Sequence, residues 1–164
     1  MIYFLRKVRN KNRWGAVEEP DWLRPEEIQA DLVTDLNTTD NTMSMWRLSE
    51  GRSNLSRIIA AVALSGADVR NIDYLIFNSA LLDGLRIKYQ SAGGDTCDRD
   101  LNSEWHYDAV HLSGESLLLL ARAIRSSSEK ARATPKEVLS VVAESVASGF
   151  IREERISEKF KERL

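Results

Sequence analysis

The chain has 164 residues, a net charge of −2, 43% apolar residues and 29% charged residues. This length suits a single domain with a real core, and this charge excludes any global attraction to nucleic acid or to a membrane surface. No apolar run approaches the roughly 18–20 residues that a bilayer-spanning helix needs. The single cysteine excludes an intramolecular disulfide. At the N-terminus an apolar start precedes the bases, the reverse of a secretory signal. Together these features predict a reducing, cytoplasmic setting with no membrane partner.

In chain order, IYFLRKV (2–8) predicts a first strand and RNKNRWGAVEEPDW a loop. Leu23-Arg24-Pro25-Glu26-Glu27-Ile28 has the signs of a helix start. Proline suits the first helical position, the glutamates suit the positive end of the helix dipole, and Leu23 and Ile28 fall at the positions of a hydrophobic staple. Leu32, Val33 and Leu36 continue that helix until NTTDN. TMSMWRL (42–48) predicts a second strand, and Leu55, Ile58, Ile59 and Val62 a second amphipathic helix ending near Ser65-Gly66. DYLIF (73–77) is a nearly continuous apolar run, as a buried strand requires. The strand–helix–strand order from 42 to 77 permits a parallel crossover. NSALLDG then leads to a fourth strand at LRIKY (85–89).

After the break SAGGD everything reads as helix. SSSEKARAT (126–134) reads as a polar linker. Thr134-Pro135-Lys136-Glu137 combines a capping box with proline at the first helical position, and Gly149 suits the far end. The last segment, REERISEKFKERL, carries nine charges in thirteen residues and a narrow stripe of Ile156, Phe160 and Leu164. The predicted fold is α+β: a small mixed sheet of about four short strands in the N-terminal half, with a helical C-terminal third. It forms one globular domain over 1–164, sheet-containing over 1–90 and helical over 96–164.

The stretch DTCDRDLNSEWHYDAVHLSGES (95–116) holds Cys97, His106 and His111, the only cysteine and histidines of the chain, among six carboxylates. On one helix over 97–112, Leu101, Trp105, Ala109 and Leu112 share a face. His106 and His111 then diverge by about 140°, where a metal-binding pair needs a spacing of four. Cys97 and His111 stand about 21 Å apart along such an axis. The reading is therefore no metal site and no cofactor. His106, His111, Asp108 and Cys97 remain the residues from which an enzyme site around 95–111 would have to be built, and it would need a break near Asn102-Ser103.

Two other features bear on function. Arg6, Lys7, Arg9, Lys11 and Arg13 place five bases in eight residues, followed by Trp14. Bases that neutralise phosphates beside an indole that stacks make a candidate nucleic-acid surface. Residues 18–40 hold eight acids and one base and can neutralise it. Trp14 and Trp22 in a polar loop, and the stripe Ile156, Phe160 and Leu164, are candidate protein-binding residues. Phosphate-loop, dinucleotide, nucleophile-elbow, C-x-x-C and EF-hand signatures are absent from the sequence. The leading expectation is a non-catalytic cytosolic interaction protein: an assembly subunit, an inhibitor, or an immunity- or antitoxin-type partner. Nucleic-acid binding through 6–14 is the alternative, and an enzyme using the His/carboxylate stretch the second alternative.

Overall fold

β1 (Tyr3–Val8) runs through the middle of a six-stranded sheet in a computed structural model, which describes residues 1–15, 27–36, 39–66 and 68–164. Its neighbours are β2 (Met43–Arg47) and β3 (Ile72–Asn78), both antiparallel to it. β2 and β3 are therefore parallel to each other but are not adjacent. The connection through α2 (Leu55–Leu64) crosses over β1. β4 (Tyr89–Ser91), β5 (His106–Ala109) and β6 (Glu129–Ala133) complete the order β4-β5-β2-β1-β3-β6.

Every pairing is antiparallel, so the mixed sheet of about four strands is corrected to an antiparallel sheet of six. The sheet draws strands from both halves of the chain, and the division into a sheet part before 90 and a helical part after 96 does not hold. The fourth strand lies at 89–91 rather than 85–89.

Alternation along β1 sends Phe4 and Val8 to one face and Leu5 to the other. Met43, Met45, Leu75 and Phe77 join the first face, where α1 (Ala30–Leu36), α3 (Ala80–Gly84) and α5 (Gly114–Ser127) cover them. Trp46, Tyr74 and Ile76 join the second, covered by α2, α6 (Pro135–Ala147) and α7 (Glu158–Lys161). β3 is buried from Ile72 to Phe77 because helices lie on both sides, hence its unbroken apolar run. α6 opens as its residues require: Glu137 Oε2 accepts from Thr134 N at 2.7 Å, Thr134 Oγ1 caps Glu137 N, and Gly149 follows the helix at φ +74°.

Three departures from the predicted elements matter for function. The helix expected over 97–112 is α4 (Arg99–Glu104) alone, with Trp105 as its last cap and β5 beginning at the next residue. The break falls just beyond Asn102-Ser103. Asn102 turns its amide back on the preceding loop, accepting from Thr96 N and Oγ1 and donating to Thr96 O. The same loop requires Gly94, since a Cβ there would lie 2.6 Å from Asn102 Oδ1. The free edge of β2 then takes four successive residues of β5 as partners. The polar linker at 126–134 contains β6, the other departure in this half.

At the C-terminus there is no single charged helix. A one-turn 3-10 segment at Glu153–Arg155 and the short α7 fold Ile156 and Phe160 into the core, at 3% and 0% exposure. Among the described residues no helix is long and apolar enough to cross a membrane. The staple at Leu23 and the anchor at Trp22 lie outside the described residues.

Candidate functional site

β5 brings together two of the four residues proposed for an enzyme site. His106 and Asp108 share a face of the strand, with Nε2 4.0 Å from Asp108 Oδ1. The His106 ring stands edge-on to Trp46, and its Nδ1 lies 3.2 Å from Ala92 O. A carbonyl only accepts, so Nδ1 carries a proton and donates it there. Asp108 Oδ1 is buried and has no hydrogen-bond partner among the described residues. Neither residue lines any of the five surface hollows described.

His111 follows β5 at φ +57° and lines a shallow hollow with Arg86 and Lys88. Cys97 lines another, beside Arg99, Arg152 and Arg155. Burial pushes the Cys97 thiol pKa up, away from the thiolate a nucleophile needs. Among the described residues no three His, Cys, Asp or Glu side chains gather as a metal cage.

The basic N-terminal run is largely built into the fold. Past the Phe4–Arg47 and Leu5–Trp46 pairs, Arg6 reaches to β2 and α1. Its Nη1 donates to Ser44 O at 2.8 Å and its Nη2 to Asp35 O at 3.2 Å. Burial lowers its pKa to about 10 against the opposing pull of Asp35 and Asp108. Lys11 N donates to Asp73 Oδ2, and Arg13 pairs with Asp31 at 2.9 Å.

Trp14 corrects both roles proposed for it. Its side chain is 0% exposed and its Nε1 donates to Asp35 Oδ2, so it neither stacks on a base nor meets a partner. Ile156 and Phe160 are withdrawn as partner-binding residues for the same reason, whereas Leu164 is 50% exposed.

Sequence reasoning missed a different constellation. Among the described residues three arginine–aromatic pairs occur: Arg52 over Tyr3 and Arg47 over Trp105, each at 5.7 Å, and Arg57 over Phe150 at 3.9 Å. All three line two joined hollows. The first, about 600 Å³, holds Tyr3, Arg47, Arg52 and Trp105. The second, about 370 Å³, holds Arg57, Phe150 and several serines, and shares Ser49 and Trp105 with the first.

Comparison with family models, with curated proteins and with solved structures gives no match.

The groove is held in place by its surroundings. Ser49 N donates to Asn54 Oδ1, and Asn54 Nδ2 to Arg47 O, which fixes the turn that carries Gly51 and Arg52 at positive φ. Arg52 bonds Glu129 at 2.7 Å. Arg57 grips Asp98 through Nε and Nη2, and Asp98, itself 0% exposed, caps α4 by accepting from Leu101 N. That bond raises the Arg57 pKa. Phe150 is 45% exposed, an unusual placement for a ring this large. The arrangement offers flat aromatic and guanidinium surface with little net charge, which suits contact rather than bond-making. The available signal in the sequence was the series Arg47, Arg52 and Arg57, spaced by five, but nothing in it names the three aromatic partners.

Proposed function

We propose that this chain is a non-catalytic cytosolic interaction protein and that the arginine–aromatic groove binds another protein. One observation carries this reading: three aromatic rings, Tyr3 and Trp105 partly buried and Phe150 exposed, each faced by an arginine, along two joined hollows. Tyr, Trp and Arg are the side chains that most often dominate interface energy, because each offers much area and a directed polar group for little lost freedom. Positions fixed in advance by Asp98, Glu129 and Asn54 reduce the ordering cost of binding further. The lone, partly buried thiol suits a reducing compartment.

The experiment is affinity purification at native abundance, comparing wild type with Arg47→Ala/Trp105→Ala and with a control, Leu119→Ala, at an exposed position of α5. The expected outcome is one protein species recovered with wild type and the control and lost with the groove variant. Equal recovery by the groove variant removes the groove from the binding surface.

A further inference from the structure

The opposite end of β1 holds a second, unlike hollow. Arg6, Lys7 and Arg9 line it from β1 and the residue beyond, Arg70 and Asn71 from the turn before β3, and Asp35 from the end of α1. Its volume is about 380 Å³, within the range of small-ligand sites. Among the described residues four cations and one carboxylate line it, a charge of +3.

The carboxylate is already engaged. Asp35 is 1% exposed in its side chain, accepts from Arg9 N and Trp14 Nε1, and lies 3.8 Å from Arg9 Nε. Lys7 and Arg70 have no ion-pair partner among the described residues. Arg6 holds its place through Ser44 O and Asp35 O, and its buried Nε has no hydrogen-bond partner among the described residues. Desolvation lowers the Lys7 ammonium pKa, and the nearby charges of Arg70 and Arg6 lower it further.

Cations gathered in a hollow with less counter-charge than they carry repel one another, and an anion entering the hollow relieves that repulsion. We propose that this hollow binds a phosphate group, free or carried by a small phosphorylated molecule. Charge selects the class. A lining of +3 outweighs what one carboxylate ligand neutralises, and a phosphate offers several acceptor oxygens to the forked donors of Arg9 and Arg70 and to the point charge of Lys7. Arg6, close enough to lower the Lys7 pKa, adds its positive charge to the hollow. Among the described residues no aromatic side chain lines the hollow to stack on the bases of a polynucleotide. This site is separate from the arginine–aromatic groove and does not depend on it.

Thermal unfolding and isothermal titration of the full chain test it, with inorganic phosphate and pyrophosphate as probes, sodium chloride of matched ionic strength as control, and a single-stranded oligonucleotide followed by anisotropy. The expected result is a saturable rise in Tm with pyrophosphate that chloride does not reproduce. Affinity should fall about tenfold or more in Arg70→Ala and in Lys7→Ala, and stay unchanged in Trp105→Ala. A free phosphate source predicts that inorganic phosphate saturates as well, and a carried one that only pyrophosphate or another phosphate ester does. The proposal is overturned by no saturable response to either probe, by a response that survives Lys7→Ala/Arg70→Ala, or by oligonucleotide binding tighter than pyrophosphate with a steep salt slope, which assigns the cations to a polynucleotide instead.

Discussion

At the Tyr3 end of β1, Arg52 and Arg57 are each tied to a carboxylate, Glu129 and Asp98, and lie over aromatic rings. At the Val8 end, Lys7 and Arg70 line a hollow in which neither pairs with a carboxylate of the described residues. One strand thus separates two ways of displaying cations. Where charge is balanced, the guanidinium acts as flat, weakly hydrated surface, and what it recognises is shape. Where charge is unbalanced, recognition is electrostatic and falls with ionic strength. A partner held in the groove should therefore be far less sensitive to salt than an anion held at the other end.

The largest expected effect lies at the join between the charged end and the core. Asp35 is the buried acceptor for Trp14 Nε1 and Arg9 N, and its charge opposes the burial of Arg6. Asp35→Ala leaves the indole N–H and the Arg9 N–H without their acceptor and removes a charge that offsets the burial of Arg6, and should cost about 3–5 kcal/mol in urea denaturation. A loss below about 1 kcal/mol would show that Arg6 is compensated by Asp108 and the backbone carbonyls alone, and that the two ends differ less than their geometry suggests.

At the groove end the corresponding anchor is Asp98, which caps α4 and grips Arg57 at once. Asp98→Ala should cost about 2–3 kcal/mol, less than Asp35→Ala because Arg57 retains solvent access. The sharper readout is local: release of Arg57 should free Phe150, weakening the groove partner while leaving the pyrophosphate response intact.

The sequence made some of this legible and hid the rest for physical reasons. β3 was legible because burial on both faces produces an unbroken apolar run, and α6 because its capping box and Pro135 are local devices. β5 was hidden because Leu101, Trp105, Ala109 and Leu112 fit a helical face, while the deciding force is non-local: the edge of β2 pairing with His106–Ala109. β6 was hidden because an edge strand carrying Lys130 and Arg132, with only Ala131 and Ala133 as apolar residues, resembles a linker. Half of the cationic hollow was visible as Arg6, Lys7 and Arg9. Arg70 joins only because β3 lies beside β1, and the run's indole, Trp14, turned inward to Asp35. The groove was invisible, since each arginine meets its ring from a distant part of the chain.

The smallest effect on stability is the most informative about the charged end. Arg70 is exposed and has no ion-pair partner among the described residues, so Arg70→Ala should leave stability within about 0.5 kcal/mol of wild type, unchanged or raised. Its mark should appear in the pH dependence. The folded-state pKa of Lys7 lies below its unfolded value, so between the two the unfolded chain binds more protons and stability rises with pH. Arg70 contributes to that depression, and its removal should narrow the window and flatten the alkaline rise measured by urea denaturation across it. Bound pyrophosphate should flatten it too, by stabilising the charged ammonium. The two treatments should therefore not add: pyrophosphate should do little to the pH profile of Arg70→Ala. A residue whose removal costs no stability but erases both a ligand response and a pH dependence is placed for binding rather than for folding. An alkaline rise identical in wild type and variant would instead put Lys7 and Arg70 too far apart in solution to share one anion.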